Sequence, residues 1–366
     1  MFTDADRQYM QQALDCALQA RFTARPNPAV GCVLVRDGQV IGCGWTQPVG
    51  GPHAEVEALR QAGDARGATA YVTLEPCAHH GRTGPCADAL VAAGVARVVA
   101  AVEDPDPRVA GGGMARLRAA GIQVDVGLLA DAAEQQLAGF LLRMRRGWGR
   151  VRLKVAASLD GRSAMASGES QWITGAEARA DVQLLRAASC AIVTGVGTVL
   201  ADDCRLTVRG EQLPLAGEAA ARALSLPPLR VVLDSQARAP ASAAIFAGSR
   251  PGIRLVADDL PEPPADAVPI AKSPLIGLDL TAVMVWLGEQ ACNEILVEAG
   301  PTLAGALLEA GLVDELVWYT APKLLGNTAR PFAAFARESL ADAVTLNFRE
   351  ITPMGDDLRI IATPEL

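Results

Sequence analysis

Four residues in the first quarter of the chain have the types and spacing of a metal centre. His53 and Glu55 stand two positions apart, and Cys77 and Cys86 each follow a proline. Two thiolates and one imidazole are ligands that zinc prefers, and three protein ligands leave one coordination position for water or substrate. We therefore predict a zinc site formed by His53, Cys77 and Cys86, with one zinc ion per chain.

Glu55 indicates what chemistry that site would perform. His-x-Glu followed by Pro-Cys is typical of zinc deaminases, in which the Glu moves protons and is not a fourth ligand. Zinc lowers the pKa of its water, and the resulting hydroxide attacks an amidine-like carbon. The usual cysteine spacing is Cys-x-x-Cys, whereas eight residues separate Cys77 from Cys86. On spacing alone, a closed structural zinc site and a disulfide remain open.

Composition and charge exclude several classes of protein. The 366 residues favour two domains, and 33 Lys and Arg against 41 Asp and Glu give a net charge of −8. A polynucleotide partner requires a basic surface, so we expect no nucleic-acid partner, although a small anionic ligand needs only a few cations. We find no apolar run of about 18 residues and no signal-peptide pattern, so we expect no membrane partner and a cytoplasmic location. With eight cysteines in the chain, we expect thiols or metal ligands and no disulfide scaffold.

An α/β domain is predicted to position the four residues. Helical spacing indicates a helix over about residues 4–22, and Asp37-Gly38 between two β-rich segments predicts a hairpin. Alternating helices and strands then continue to about residue 127, and a helix over 131–146 connects to the second half. His53 is predicted to begin a helix. Both cysteines are expected at helix N-termini, where the dipole favours the thiolate.

The second half reads as another α/β unit with two candidate phosphate-binding turns. A strand at Glu294–Glu298 ends before Gly300, and Pro301 takes the first position of a helix whose free N–H groups could bind phosphate. The segment 194–198 follows a second strand in the same way. An ordinary strand-to-helix turn is the alternative at both places.

Three segments of the first half resemble the bacterial bifunctional riboflavin-biosynthesis deaminase/reductase family. They are Asn27-Pro28-Ala29-Val30-Gly31, Gly51-Pro52-His53-Ala54-Glu55 and the run from Glu75 to Cys86. The long interval between the cysteines is characteristic of that family, although Gly84 stands where the family commonly has Pro. The resemblance implies that Asn27, His79 and Arg82 line the deaminase substrate pocket. An Asn amide suits a pyrimidine edge, and an Arg suits a phosphate.

The second half resembles the reductase domain of the same family. The segments that carry the likeness are 154–162, 170–174 and 202–209, with Cys204 where the family commonly has Pro. The resemblance implies a dihydrofolate-reductase-like fold and NADPH as cofactor. It implies cofactor contacts at Ala156, Trp172, Thr198, Asp202, Ser235, Gly300, Pro301, Thr302, Leu303, Ala304, Gly305 and Ala306, and substrate contacts at Ser170, Arg186, Leu206, Arg209 and Glu298. Lys154 is a further candidate to face the substrate and to polarise or protonate its ribose. Surface ion pairs and core packing are the alternatives for these residues.

The segment 231–235 is predicted to be a strand with an acid, Asp234, near its end. In a Rossmann unit, an acid at this place would favour NAD. No Gly-rich fingerprint precedes it, so we expect Asp234 to point away or to cap the following turn. The 2′-phosphate of NADPH is then expected near Ser235 and Arg238.

Together these interpretations predict an α/β protein of two domains. Residues 1–146 form a cytidine-deaminase-like three-layer α/β/α zinc domain, and residues 147–366 form a dihydrofolate-reductase-like NADPH domain. The resemblance implies deamination of 2,5-diamino-6-ribosylamino-4(3H)-pyrimidinone 5′-phosphate, followed by reduction of its ribosyl group to ribityl, in a homo-oligomer (dimer or tetramer). A nucleic-acid base deaminase with an accessory binding domain and a non-enzymatic zinc module are the alternatives.

Overall fold

The computed structural model describes residues 1–78, 84–106, 109–274 and 277–365. The chain divides into two compact units, Met1–Gly147 and Trp148–Leu366. Both units combine helices and β-sheet, so the predicted α/β class is confirmed. Across the described ranges, no helix is both long enough and apolar enough to cross a membrane.

The N-terminal unit has a five-stranded sheet in the order β2-β1-β3-β4-β5. Strand β1 is antiparallel to both β2 and β3, whereas β3, β4 and β5 are parallel. The elements are α1 (Asp4–Ala17), β1 (Gly31–Arg36), β2 (Gln39–Trp45), α2 (Ala54–Ala62), β3 (Thr69–Val72), α3 (Cys86–Ala92), β4 (Arg97–Ala100), α4 (Gly112–Ala119), β5 (Gln123–Val126) and α5 (Ala130–Arg146). The helix predicted over 4–22 ends at Ala17 and continues only as a 3-10 turn.

Helices cover both faces of this sheet. A Cβ atom on Gly31 would overlap the carbonyl oxygen of Ala13 in α1, and one on Gly44 would overlap that of Ala54 in α2. Gly44 pairs with Cys32, the neighbour of Gly31 in β1, so the two contacts lie on opposite faces. Helices α1 and α2 therefore sandwich the sheet, and the predicted three-layer arrangement is confirmed.

The predicted hairpin joins β1 and β2 as expected. Asp37 and Gly38 both have positive φ, 53° and 75°, which is the type I′ geometry that matches the twist of a two-residue hairpin. The Tyr9 hydroxyl donates to the Gly38 carbonyl oxygen at 2.8 Å, which ties the hairpin to α1.

One prediction about the cysteines is wrong. Cys16 in α1 and Cys43 in β2 form a disulfide, although all cysteines were expected to be thiols or metal ligands. The two lie 27 residues apart, and packing of α1 against the β1-β2 hairpin brings them together. That tertiary contact leaves no signal in their spacing. The other six cysteines are free.

The C-terminal unit has a nine-stranded sheet in the order β11-β10-β9-β8-β12-β6-β13-β16-β15, and β7 pairs separately with β14. The strands from β11 to β13 are parallel, and β16 and β15 continue the sheet antiparallel. The elements are β6 (Arg150–Ser158), β7 (Arg162–Ala164), α6 (Ala176–Ala188), β8 (Ala191–Gly195), α7 (Val196–Asp202), α8 (Gly217–Ser225), β9 (Leu229–Leu233), β10 (Ile253–Ala257), β11 (Val268–Ile270), α9 (Leu280–Glu289), β12 (Glu294–Glu298), α10 (Pro301–Glu309), β13 (Glu315–Ala321), β14 (Arg330–Pro331), β15 (Leu346–Met354) and β16 (Asp357–Pro364).

Alternating strand residues face two different hydrophobic clusters. Val297 belongs to a cluster with side chains of α9 and α10, whereas its neighbour Leu296 belongs to a cluster with side chains of α7. Lys154 pairs with Glu298, so both charged residues share the face of Leu296. The last parallel strand, β13, begins at Glu315, and Leu312 is buried in the segment between α10 and this strand.

Candidate metal centre and cofactor cavity

The structure brings the three predicted metal ligands together. His53 is the N-cap of α2, and its Nδ1 lies 3.3 Å from Cys86 Sγ and 3.7 Å from Cys77 Sγ. The three donor atoms all lie within 4.8 Å of one another. Cys86 begins α3 as predicted, but Cys77 does not begin a helix. Its sulfur instead accepts the Cys86 backbone N–H at 3.3 Å, which places it at the N-terminus of α3.

The protonation of the two thiols supports a cation at this place. Hydrogen bonds from the Cys86 thiol, from His53 and from the Cys86 backbone N–H hold the pKa of Cys77 well below its usual range, although burial opposes this. The same pairing with Cys77, together with burial and the nearby Glu55, raises the pKa of Cys86. Without a cation, the negative charge of one thiolate therefore disfavours ionisation of the second thiol. A divalent metal removes that penalty, and the donor set of two sulfurs and one nitrogen fits zinc.

Glu55 lies in the first turn of α2 and is only 4% exposed. Burial and the charge of Cys77 raise its pKa to about 7, although its own backbone N–H, His53 and Cys86 act in the opposite direction. A carboxyl group with a pKa near neutrality can both accept and return a proton at physiological pH.

The predicted substrate residues of this unit can be located only in part. Asn27 is half-buried in the segment that leads into β1, and its side-chain amide has no hydrogen-bond partner among the described residues. His79 and Arg82 lie outside the described residues, so their positions stay predictions.

The C-terminal unit contains a cavity of about 1450 Å³. This exceeds the volume of a typical site for one drug-sized ligand, so it has room for two ligands side by side. All predicted substrate residues of this unit and most of the predicted cofactor residues line it. They are Lys154, Ala156, Ser170, Trp172, Arg186, Thr198, Asp202, Leu206, Arg209, Ser235, Glu298, Gly300, Pro301, Thr302, Leu303 and Ala306, with Arg238.

Ala304 and Gly305 are not in the cavity lining. Ala304 is fully buried in the core, and a Cβ on Gly305 would overlap the carbonyl oxygen of Ala334. Helix α10 begins at Pro301, so the 3.6-residue period turns these two residues inward and leaves Ala306 at the cavity.

One end of the cavity holds a cluster of three charges. Arg186 binds Glu298 through two hydrogen bonds, of 2.6 and 3.0 Å, and Lys154 Nζ lies 3.6 Å from Glu298 Oε2. Burial would raise the pKa of Glu298, but the charges of Arg186 and Lys154 outweigh it and lower the pKa to about 2. Arg186 also donates to the Thr207 carbonyl oxygen at 3.0 Å, so its guanidinium is largely committed within the protein.

The other end lies where β9 ends. Asp234 is fully buried, and its two carboxylate oxygens accept the backbone N–H groups of Arg238 and Ala239, each at 2.8 Å. The prediction that Asp234 caps the following turn is confirmed. Ser235 and the exposed Arg238 face the cavity, whereas Asp234 has no accessible oxygen for a ribose hydroxyl.

Trp172 lies at the mouth of the cavity and is 56% exposed. The guanidinium of Arg179 lies 4.7 Å from its ring centre, and Lys323 Nζ donates to its carbonyl oxygen at 2.9 Å. Trp172 is therefore contacted at its ring and at its backbone carbonyl group while its side chain stays exposed, which argues against the alternative that it packs in the core.

Sequence reasoning missed some residues that organise the charged end of the cavity. Gln183 is 3% exposed, and its side-chain oxygen accepts the Arg209 backbone N–H at 3.0 Å. It lines the cavity with Arg179, one helical turn before it in α6. A buried amide on the polar side of an amphipathic helix is a weak signal, because many such residues are simply exposed.

Two protein families match the chain. Residues 3–102 match the cytidine and deoxycytidylate deaminase zinc-binding region, and residues 150–360 match the RibD C-terminal domain. Together with the three-layer α/β/α arrangement of the N-terminal unit, these matches confirm the two expected folds, cytidine-deaminase-like and dihydrofolate-reductase-like.

Relatives with both parts match over nearly their whole length. The riboflavin biosynthesis protein RibD of Escherichia coli K12 is 54% identical over 358 residues, 96% of this chain and 98% of the relative. That of Haemophilus influenzae is 48% identical over 372 residues, 100% of this chain and 99% of the relative. Among solved structures, Acinetobacter baumannii RibD has 44% identity and a TM-score of 0.89, with 99% of each chain covered. A deaminase/reductase from Thermotoga maritima has 29% identity and a TM-score of 0.86, with 98% and 99% covered.

Proposed function

The chain belongs to the RibD family of bifunctional riboflavin-biosynthesis deaminase/reductases, and from this premise we propose how its residues divide the two reactions. The deaminase domain comprises residues 1–146, and the reductase domain comprises residues 147–366. The substrate is a small phosphorylated pyrimidine, 2,5-diamino-6-ribosylamino-4(3H)-pyrimidinone 5′-phosphate. The ring loses an amino group in the first domain, and the ribosyl group becomes ribityl in the second.

His53, Cys77 and Cys86 hold one zinc ion in the deaminase domain. The single observation that carries this assignment is the convergence of their three donor atoms within 4.8 Å beside the buried Glu55. Zinc, when bound by these residues, would act as a Lewis acid that lowers the pKa of water, so that hydroxide is available to attack carbon near neutral pH. Three protein ligands leave room for that water, which a closed structural site would not.

Glu55 is the proton carrier of the deamination. Its carboxylate takes a proton from the attacking water and delivers it to the departing ammonia. Burial raises the pKa of Glu55 above its ordinary value, which favours a group that can both take up and release a proton near neutral pH. Asn27 pairs with the pyrimidine edge, and His79 and Arg82 complete the substrate pocket, with Arg82 on the phosphate.

The charged end of the C-terminal cavity binds the second substrate, through Lys154, Ser170, Arg186, Leu206, Arg209 and Glu298. Because Arg186 is committed to Glu298, Arg209 is the better phosphate ligand, and Arg186 orients the carboxylate. A closed N-glycoside carbon has no empty orbital, so the sugar must open to an imine before it is reduced at C1′. Lys154, held beside Glu298, donates the proton that the ribose ring oxygen requires for this opening.

NADPH occupies the remainder of the cavity and, when bound, supplies the hydride for C1′. Ala156, Trp172, Thr198 and Asp202 contact the cofactor, and Ser235 and Arg238 hold its 2′-phosphate. The segment Gly300–Ala306 contributes the N-terminus of α10, whose free N–H groups favour a pyrophosphate. Within this segment, Ala304 and Gly305 face the protein interior and pack α10 in place.

No nucleic-acid partner is part of this proposal, and neither is a membrane. We place the reaction in the cytoplasm from the family resemblance. A homo-oligomer, dimer or tetramer, is proposed from family resemblance, with association through the reductase domain.

The proposal is tested with the purified full-length chain, by metal analysis and by following ammonia release and NADPH absorbance separately. Cys77→Ser and Cys86→Ser are each expected to lose zinc and ammonia release together, because a hydroxyl is a poor zinc ligand. Cys292→Ala, at a buried thiol of the C-terminal unit, is the control and is expected to keep both. Stoichiometric zinc in both serine variants would refute this ligand set. RNA binding that weakens steeply with salt would instead favour a nucleic-acid base deaminase.

A further inference from the structure

Glu75 is a buried carboxylate that neither proposed reaction uses. It precedes the ligand Cys77 by two residues and is 3% exposed. Its backbone N–H donates to the Val102 carbonyl oxygen at 2.9 Å, which anchors it to the segment just after β4. A buried charge is expensive unless hydrogen bonds compensate it, so the partners of this carboxylate matter.

The carboxylate of Glu75 accepts four backbone N–H groups. Oε1 accepts those of Gly113 and Met114 at 2.9 and 3.2 Å, and Oε2 accepts those of Gly111 and Asp104 at 3.0 and 3.2 Å. Gly111 is the N-cap of α4 and has no side chain with which to cap it. Glu75 therefore caps α4 from a distant part of the chain, where the helix dipole favours a negative charge.

The glycines at the start of α4 allow the segment that contains Glu75 and Cys77 to approach this helix closely. A Cβ on Gly113 would overlap the carbonyl oxygen of Pro76, so only glycine permits the approach of the segment that carries Cys77. On Gly112, a Cβ would touch the Ala78 side chain at 3.6 Å. The segment 75–78 consequently lies directly on the first turn of α4.

Cys77 is held from its other side by α3. Its carbonyl oxygen accepts the Ala87 N–H at 3.1 Å, and its sulfur accepts the Cys86 N–H at 3.3 Å. Helices α3 and α4 also pack against each other. The orientation of the Cys77 sulfur thus depends on two helix N-termini, one of which is joined to it by Glu75.

We propose that Glu75 is a positioning residue of the metal centre, which directs the Cys77 thiolate towards His53 and Cys86 by docking segment 75–78 on α4. This inference rests on the ligand set of the proposed function. Groups that orient metal ligands typically change metal affinity by about 10- to 100-fold when they are altered.

The test compares Glu75→Gln with the wild-type holoenzyme and with Asp6→Asn. Asp6 is a matched control, because it is a 4% exposed carboxylate of the same unit that belongs to the capping box of α1, and its hydrogen bonds go to Thr3, Tyr71 and Arg97. Zinc affinity is measured by chelator competition, and the ligand geometry by the absorption bands of the Co²⁺-substituted protein. Circular dichroism monitors folding, and reductase activity on already deaminated substrate monitors the other unit.

Glu75→Gln is expected to bind zinc about 10- to 100-fold more weakly and to alter the Co²⁺ bands, while reductase activity is unchanged. Asp6→Asn is expected to lose stability but to keep wild-type zinc affinity and bands. Equal zinc affinity in Glu75→Gln and wild type, or equal weakening in both variants, would overturn the inference.

If Glu75→Gln fails to fold, Glu75→Asp keeps the charge but is one methylene too short for all four N–H groups. It is then expected to weaken zinc several-fold, and wild-type affinity there would equally contradict us. Wild-type protein without zinc would refute the proposed function itself.

Discussion

The metal site could be predicted at the scale of single residues because its chemistry is local and specific. His53, Cys77 and Cys86 are of rare residue types, Glu55 follows His53 at a distinctive spacing, and the structure places the four side chains together. Glu75 and Gln183 could not be predicted in the same way. Their partners are backbone N–H groups whose positions are set by tertiary packing, and a backbone donor leaves no trace in the sequence.

Glu55→Gln is expected to keep zinc and to lose deamination by at least about 10²-fold. Gln occupies the same space in the first turn of α2 but cannot accept a proton. Ammonia release and zinc content are measured on the same preparation, with reductase turnover on deaminated substrate as the internal control. Near-normal ammonia release would show that Glu55 is structural.

Arg238→Ala is expected to weaken NADPH binding about tenfold or more and to leave NADH nearly unchanged. Hydrogen bonds to charged groups contribute about 1.5–3 kcal/mol, and about 1.4 kcal/mol corresponds to tenfold. The buried Asp234 supports this prediction, because an acid committed to capping the turn cannot select NAD. Dissociation constants for both cofactors provide the measurement, with Arg349→Ala outside the cavity as the control. Equal losses for NADPH and NADH would exclude a role for Arg238 in binding the 2′-phosphate.

At the scale of elements, the helices and strands with a clear sequence signature could be predicted, whereas others could not. The hairpin could be predicted because Asp37-Gly38 is a specific turn signature, and α1 could be predicted because only one of its faces is buried. Helix α9 is apolar nearly throughout, and β15 is exposed along most of its length. Neither has the alternation between buried and exposed residues from which an element is recognised.

The junction of α1, β3 and β4 is expected to make the N-terminal unit sensitive to acid. Burial would raise the pKa of Asp6, but hydrogen bonds from Thr3, Tyr71 and Arg97 lower it well below its ordinary value. The depressed pKa stabilises the fold above the unfolded-state pKa of about 3.9, and that stabilisation is lost as the pH falls below it. Urea unfolding between about pH 6 and 3 should therefore show a steeper loss in wild type than in Asp6→Asn. Parallel curves would contradict this assignment.

At the scale of the whole molecule, each unit has a hydrophobic core of its own. One cluster lies entirely within the first 141 residues, and the clusters of the second unit begin at Val151. The two sheets share no strand, and each unit is long enough to fold independently. The described residues that line both ends of the cavity, the charged cluster and the end at β9, belong to the second unit.

A fragment that starts at Gly147 is therefore expected to fold and to oxidise NADPH when it is given already deaminated substrate. Residues that line the cavity begin at Lys154, so the cut removes none of them. Strand β6 lies inside the sheet between β12 and β13, and its first residue is Arg150, so the cut also leaves this strand complete. The measurement compares NADPH turnover and thermal unfolding of the fragment with those of the full chain. A start at Leu153 is the control, because it removes the first part of β6 and should abolish folding. A fragment from Gly147 that folds but is inactive would show that the reductase site takes residues from the first domain.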